Sequence, residues 1–170
     1  MKKMILAKHE ILDRIVREKL VEGYFDLKQQ LQPASFDLTL ESVHALEEQG
    51  ALDFDNSQRV IPKTRELDFD AEGWIELKPG TYKIRFNEAV RLPDDLTALS
   101  LPRSSLARCG AFVHVGWWDP GYHGRGESLL AVGGKGLRLK KNAKVAQYVF
   151  LKLNDKAREL YTGIHHKENV

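Results

Sequence analysis

The densest group of chemically useful side chains lies in residues 101–127, which read LPRSSLARCGAFVHVGWWDPGYHGRGE. The first half of this stretch predicts a short helical turn over 106–109, with Ser104 or Ser105 as its N-cap. Free backbone N–H groups at such a turn can bind phosphate oxygens. The segment therefore predicts a small anion-binding cup.

Two arginines flank this predicted cup. Arg103 and Arg108 lie on either side of the serines, so they can supply charge-assisted and bidentate bonds to one anion. Two hydroxyls between two guanidinium groups suit a polyphosphate. The alternative to an anion-binding cup is a capped turn with a structural role only, in which both arginines are solvated. The same residues fit either interpretation.

The second half of the stretch contains a carboxylate in a predicted turn. Asp119 precedes Pro120 and Gly121, which restrict and then release the backbone, so we expect the carboxylate to be held at a loop tip. A fixed carboxylate can orient a water molecule. Tyr122 and the nearby tryptophans could bind a sugar or a base, although aromatic residues also pack in cores and hairpins.

The sequence gives little support for a disulfide or for a metal site built from cysteine and histidine. The single cysteine, Cys109, cannot form an intramolecular disulfide, and the six histidines show no HExxH spacing. A zinc-dependent deaminase needs a His/Cys/Cys or three-cysteine site, which one cysteine cannot provide. We therefore assign no metal ion held directly by protein ligands.

Composition limits the class of protein. The chain has 170 residues, 42% of them hydrophobic, which is sufficient for one domain over 1–170. Its 26 basic and 24 acidic residues give a net charge of +2, so we expect no nucleic-acid partner. No signal-peptide pattern and no apolar run of about 18 residues is present, which predicts a cytoplasmic protein without a membrane role.

The elements that position these residues are predicted to be mainly strands. Apolar residues at helical spacing predict an N-terminal helix over 7–21. A hairpin is expected from 74–77 and 81–86 around the turn Pro79-Gly80. Further short strands with turn residues between them suggest a closed or two-layered β fold. The polar tail, 161–170, has the composition of a mobile segment.

A second carboxylate occurs within a predicted strand. In LQPASFDLTLES, Phe36, Leu38 and Leu40 alternate with polar residues, so Asp37 is expected to face away from the core. Such a carboxylate is usually solvated. The alternative is that Asp37 faces a metal-bound substrate at a subunit contact.

The chain resembles the dCTP deaminase and dUTPase superfamily. The resemblance rests on four motifs that occur in the family's order, namely PASFDL, PRSSLAR, WDPGYHGR and AKVAQYVF. The segment RSSLARCGAFVHVGWWDPGYHGR is similar in sequence to the archaeal-type dUTPase branch. The resemblance implies a mainly β subunit, a distorted barrel or jelly roll of the β-clip type with an N-terminal helix. It also implies a homotrimer with shared substrate sites, and magnesium carried with the nucleoside triphosphate.

The resemblance also implies roles for individual residues. Asp119 would position water and the deoxyribose 3′-hydroxyl, and Tyr122 would pack near the sugar. In the tail, Tyr161 and Gly163 match the family pattern, which implies that 161–170 can form a lid over the nucleotide with Tyr161 as a substrate-binding residue. The lysine and glutamine of the family pattern are missing here. The residues expected to bind the phosphates or complete the ligand shell are Arg103, Ser104, Ser105, Arg108 and Gln147.

One position discriminates between the reactions of the superfamily. Relatives that deaminate dCTP have a glutamate ten residues after the motif aspartate, and this position is Leu129 here. Because leucine cannot transfer protons, the sequence favours a dUTP diphosphatase that forms dUMP and pyrophosphate. Glu127 is a candidate displaced acid if a local bulge turns it inward. A dCTP deaminase, a bifunctional enzyme and a non-catalytic nucleotide-binding regulator are the alternatives.

Overall fold

The computed structural model describes residues 4–114 and 116–170. Its helices are α1 (Lys8–Glu18), α2 (Leu27–Gln30) and α3 (Ser104–Arg108). Its strands are β1 (Val21–Glu22), β2 (Phe36–Leu46), β3 (Thr64–Leu67), β4 (Trp74–Leu77), β5 (Gly80–Arg91), β6 (Leu96–Pro102), β7 (Ala111–Val113), β8 (Gly116–Trp118), β9 (His123–Val132), β10 (Leu137–Lys140) and β11 (Lys144–Lys152). The expected mainly β fold with an N-terminal helix is confirmed.

Helix α1 is shorter than the predicted 7–21. Ile11 and Ile15 are buried against the sheet, as the apolar spacing predicted. The carboxylate of Glu10 accepts a hydrogen bond of 3.0 Å from the backbone N–H of Ala7 and so closes the N-terminus. The helix ends at Glu18 because Lys19 adopts a left-handed conformation with φ of 56°.

Nine antiparallel-paired strands form the main sheet, in the order β7-β9-β5-β2-β11-β6-β8, with β1 beside β5 and β3 beside β2. Strand β2 lies near the centre, between β5 and β11, and its residues from Phe36 to Leu40 are all buried. The hydrophobic core includes Phe36, Phe86, Tyr148 and Phe150. A sheet that curls around such a core positions loops from distant parts of the chain at its ends.

The predicted hairpin of 74–77 with 81–86 is wrong. Strand β4 pairs with β10, where Trp74 faces Lys140 and Leu77 faces Leu137. Strand β5 instead pairs with β2 and β9. The turn residues Pro79 and Gly80 therefore connect two different sheets, which local sequence patterns do not reveal.

An irregularity in β5 accommodates a buried carboxylate. The register with β9 shifts between Arg85 and Ala89, and Glu88 within this bulge is fully buried. Glu88 accepts hydrogen bonds from the side chain of Gln30 at 2.7 Å and from the backbone N–H and the hydroxyl of Thr39 at 2.8 and 2.6 Å. Burial nevertheless raises the pKa of Glu88 above its usual value.

No helix within residues 4–114 and 116–170 is long and apolar enough to cross a membrane.

Candidate active site

The predicted anion cup is built by α3, directly after β6. Helix α3 begins at Ser104, with Arg103 in the N-cap position, so the two serines belong to the first turn and neither is the N-cap. The side chain of Leu106 is buried and anchors the turn to the core. The backbone N–H of Arg103 donates to the carbonyl of Val145 at 3.2 Å, which fixes the cup against β11.

A cavity of about 270 Å³, here called the phosphate pocket, opens beside this turn. It brings together three predicted ligands, since Arg103 and Ser104 come from the cup and Gln147 from β11. The hydroxyl of Ser35 donates to Oε1 of Gln147 at 2.9 Å and orients its amide. Ser105 and Arg108 are exposed and do not line this pocket.

Asp37 lies in the wall of the phosphate pocket, and the expectation that it is solvated is wrong. Its side chain is only 1% exposed and forms an ion pair with Arg103. Nζ of Lys144 lies 3.4 Å from Oδ2 of Asp37, and the amide of Gln32 donates to the same oxygen at 3.1 Å. Alternation failed here because β2 is covered on both faces. A charge buried there requires ionic partners.

The other oxygen of this carboxylate differs in its surroundings. Oδ1 of Asp37 is buried and has no hydrogen-bond partner among the described residues. A buried and unsatisfied carboxylate oxygen is costly, and it suits a ligand that arrives with positive charge or a donor group.

A second cavity of about 240 Å³, here called the aromatic pocket, lies at the start of β9. It collects Asp119, Tyr122, Glu127 and Tyr161 from the predicted set. The pocket is lined by Gly116, Trp117, Trp118, Asp119, Tyr122, Glu127, Tyr161, His165 and Glu168. None of these residues lines the phosphate pocket.

Asp119 occupies the turn between β8 and β9, as its sequence context predicted. The backbone N–H of Tyr122 donates to the carbonyl of Asp119 at 3.1 Å, and Gly121 adopts φ of 86°. The carboxylate is exposed, and its Oδ1 accepts a hydrogen bond of 3.1 Å from the indole N–H of Trp117. This arrangement holds the carboxylate at a turn while leaving it accessible.

The aromatic residues of this pocket pack edge to face. The ring of Tyr122 lies 4.8 Å from that of Trp118 and 5.6 Å from that of Tyr161, centroid to centroid. The hydroxyl of Tyr122 donates to Oε1 of Glu168 at 3.0 Å. Burial, followed by the charge of Glu168, raises the pKa of Tyr122, so the phenol stays protonated.

Glu127 is an interior residue of β9 and forms an ion pair with Lys83, with Nζ and Oε2 2.9 Å apart. Leu129 pairs with Lys83 in register, but it does not line the aromatic pocket. The displaced-acid hypothesis required a bulge in β9 near Glu127. The bulge lies in the neighbouring strand β5 instead, because Arg85 pairs with Glu127 and Ala89 pairs with Arg125, so the extra residues belong to β5. Glu127 nevertheless contributes to the pocket without a bulge of its own strand.

Sequence reasoning missed several residues in or beside these two pockets. Lys83 and Lys144 form ion pairs with Glu127 and Asp37 without lining either pocket, and the sequence alone did not single out these lysines. His165 and Glu168 come from the tail, whose composition suggested only mobility. A sequence signal existed for the tail alone, where Tyr161 and Gly163 kept the family pattern.

The structure thus combines a curled antiparallel sheet and an N-terminal helix with two polar sites, one beside Arg103 and one at the Asp119 turn. Residues 5–153 match the family described as dCTP deaminase-like, and the chain belongs to this family. It is 46% identical over 152 residues, 89% of both chains, to the probable deoxyuridine 5′-triphosphate nucleotidohydrolase of Methanosarcina acetivorans. The protein with that same name from Archaeoglobus fulgidus is 41% identical over 167 residues, 98% of both chains.

The solved structures include one with the same fold. The 2′-deoxycytidine 5′-triphosphate deaminase from Agrobacterium tumefaciens superimposes with a TM-score of 0.68 at 20% sequence identity. The match covers 89% of this chain and 49% of that chain. This likeness establishes the fold.

Proposed function

We propose that the protein is a dUTP diphosphatase, which hydrolyses dUTP to dUMP and pyrophosphate. The observation that carries this proposal is the aromatic pocket, where Asp119 is present and position 129, the glutamate site of deaminating relatives, is a leucine outside the lining. The names of the archaeal relatives support the same reaction.

In this proposal Arg103, Ser104 and Gln147 bind the phosphates, with Ser105 and Arg108 at the rim of the cup. Guanidinium and amide donors aimed at phosphate oxygens stabilise the charge that develops on the leaving group. The buried ion pair with Asp37 fixes Arg103 before the substrate arrives. Positioning and electrostatics supply most of the catalysis in phosphoryl transfer.

Asp119 is the proposed catalytic residue, and Tyr122 and Tyr161 form the wall beside the sugar. The carboxylate of Asp119 orients a water molecule and accepts one of its protons. The water oxygen forms a bond to the α-phosphorus, the bond from that phosphorus to the bridging oxygen breaks, and pyrophosphate leaves with the bonding electrons. Asp119 is suited to this role because it is accessible and held by Trp117.

Magnesium is proposed to enter with the triphosphate. Among residues 4–114 and 116–170, no group of three or more His, Cys, Asp or Glu side chains could hold a metal ion. Magnesium commonly binds through one or two carboxylates plus substrate phosphates, and the unpaired Oδ1 of Asp37 in the phosphate pocket fits that pattern. When bound, the ion neutralises charge on the phosphate oxygens.

A homotrimer with shared sites is proposed because the phosphate and aromatic pockets have no lining residue in common. A neighbouring subunit could bring one pocket against the other. Multi-angle light scattering at several protein concentrations tests this, and a monomer at assay concentration with full activity would contradict it. A cytoplasmic location stays a prediction, consistent with one unpaired cysteine.

The test of the function is incubation with dUTP or dCTP and magnesium chloride, followed by identification of the products. dUMP and pyrophosphate from dUTP support the proposal. Ammonia from dCTP supports a deaminase or bifunctional enzyme, for which the position of Glu127 in the aromatic pocket is the favourable observation. Tight binding without products supports a nucleotide-binding regulator.

A further inference from the structure

The C-terminal segment 160–169 lies against the body of its own subunit. The backbone N–H of Tyr161 donates to the carbonyl of Pro120 at 2.8 Å, and that of Lys167 donates to the carbonyl of His123 at 2.6 Å. In the opposite direction, the backbone N–H of Arg125 donates to the carbonyl of Glu168 at 3.1 Å. The segment is thus bonded along the turn that carries Asp119 and along the first residues of β9.

Two glycines of the motif WDPGYHGR provide the space that this segment occupies. A Cβ atom at Gly121 would lie 2.6 Å from the Cβ of Leu160 and 3.1 Å from the backbone nitrogen of Tyr161. A Cβ atom at Gly124 would lie 3.0 Å from the carbonyl oxygen of Glu168. Real Cβ contacts are rarely this short, so the motif and the segment are complementary in shape.

The segment also brings two polar side chains into the aromatic pocket. The carboxylate of Glu168 uses both oxygens, because Oε1 accepts from the hydroxyl of Tyr122 at 3.0 Å and Oε2 lies 2.8 Å from Nδ1 of His165. A carboxylate is an acceptor, so the neutral imidazole carries its proton on Nδ1 and leaves Nε2 as an acceptor. Both side chains line the pocket with Asp119.

We propose that His165 is a nucleoside-binding residue of the aromatic pocket and that Glu168 is its positioning residue. This inference rests on the proposed function and adds a residue to it. Nε2 of His165 accepts a hydrogen bond from the nucleoside, either from N3–H of uracil or from the deoxyribose 3′-hydroxyl. Glu168 fixes the tautomer and the ring orientation on which this bond depends.

Steady-state kinetics with dUTP test the proposal through three substitutions at His165. Replacement by Ala removes the acceptor, and Asn keeps a polar atom only near the position of Nδ1. We expect both to raise KM about three- to tenfold, the effect of one neutral hydrogen bond, while kcat changes little. Gln places an acceptor near the position of Nε2 and should recover most of the loss.

Substrate analogues identify the donor. N3-methyl-dUTP lacks N3–H, and 2′,3′-dideoxyUTP lacks the 3′-hydroxyl. The analogue without the contacted donor should show no difference in KM between the wild type and His165→Ala, whereas the other analogue should keep the difference. An undiminished difference with both analogues would overturn the proposed bond.

Glu168→Gln tests the positioning role separately. The amide nitrogen of the new side chain can face Nδ1, which then accepts, so the proton moves to Nε2 and the acceptor is lost. We expect a rise in KM similar to that of His165→Ala and a change of tautomer in the ¹⁵N NMR signals of the His165 imidazole. An unchanged tautomer and an unchanged KM would contradict the positioning role.

Ile164→Ala is the matched control, since this tail residue is 61% exposed and does not line the pocket. Its KM should equal that of the wild type. If the KM of His165→Ala equals that of this control, the proposal is overturned while dUTP hydrolysis stands.

If the wild type leaves dUTP intact, the proposed function fails. Calorimetric binding of α,β-imido-dUTP to the wild type and His165→Ala then decides the inference, since equal affinities would refute it.

Discussion

The guanidinium of Arg103, at the start of the phosphate cup, is ion-paired with the carboxylate of Asp37, a side chain only 1% exposed in β2. This pair joins two segments far apart in the sequence through neighbouring strands, since Gln147 of β11 lies opposite both Asp37 and Leu101. Lys144 supplies a second positive charge to the same carboxylate. The guanidinium that we propose to bind the phosphates is therefore held in place by a buried carboxylate of the sheet.

Replacement of Asp37 by Asn should weaken both the fold and phosphate binding. The change removes the anionic partner of Arg103, and loss of one member of a buried charge pair costs about 3 kcal/mol of unfolding free energy, at the low end for such pairs because Arg103 is partly exposed. KM for dUTP should rise about tenfold as Arg103 loses its position. Urea unfolding and steady-state kinetics measure the two effects.

The control for this change is Asp94→Asn, which breaks an exposed ion pair with Lys156. Such a surface pair contributes less than about 1 kcal/mol, so stability and KM should stay near the wild-type values. An effect of Asp37→Asn no larger than that of the control would mean that the buried pair does not organise the cup.

Replacement of Asp119 by Asn should separate catalysis from binding. The amide keeps the shape of the side chain and its contact with Trp117, but it cannot accept a proton from water. We expect kcat to fall by about 10²- to 10⁴-fold, the usual contribution of a positioned base, with little change in the affinity for α,β-imido-dUTP. Loss of nucleotide binding together with turnover would show that Asp119 is a binding residue instead.

Trp117→Phe refines this prediction, because it removes the indole N–H that donates to Asp119 and keeps an exposed aromatic ring at the same place. Losing one neutral donor to a carboxylate costs about 1.5 kcal/mol, so kcat should fall about tenfold. A variant with wild-type kcat would leave the turn itself as the sole support of Asp119.

The local parts of this site were predictable from the sequence, and the non-local parts were not. The glycine and proline around Asp119 specify a turn through their own backbone preferences. A short helix after Arg103 was also predictable, although it begins at Ser104 instead of 106 and neither serine is its N-cap. Strand pairing is different, because alternation does not tell which strand becomes a neighbour. The hairpin prediction failed at β4 for this reason, and Asp37 was placed in solvent because a central strand is buried on both faces.

Glu127→Gln is expected to leave dUTP hydrolysis nearly intact. Oε2 of Glu127 lies 2.9 Å from Nζ of Lys83, so this carboxylate already has a partner within its own subunit. We expect kcat with dUTP to change by less than about threefold, since no role in water attack is assigned to this residue. Initial rates of dUMP formation measure this, with Lys83→Met as a matched disruption of the same pair.

The same variant also tests whether the protein deaminates dCTP. If the wild type releases ammonia from dCTP and Glu127→Gln abolishes that release alone, Glu127 is the displaced acid of a bifunctional enzyme. If neither protein releases ammonia, deamination is excluded whatever the effect on dUTP.

Glu88 should make the stability of the protein depend on pH in a defined direction. Burial raises the pKa of this carboxyl in the folded protein, so the folded state binds the proton more tightly than the unfolded chain does. The stabilisation that results is fully present below the unfolded pKa of Glu, about 4.3, and is lost as pH rises through the folded pKa. The unfolding free energy attributable to Glu88 therefore falls as pH increases above this value.

Glu88→Gln removes this titration while keeping a side chain of the same size. The unfolding free energy of the variant minus that of the wild type should increase from pH 5 to pH 8. The increase is about 1.4 kcal/mol for each pH unit between 5 and the pKa of Glu88 in the folded protein. Urea unfolding at several pH values gives the difference directly. Glu47→Gln, which changes a carboxylate paired with Arg65 at the surface, is the control, and the trend of Glu88→Gln should exceed any trend that this control shows. A flat difference for Glu88→Gln would mean that the donors from Gln30 and Thr39 offset the cost of burying the charge.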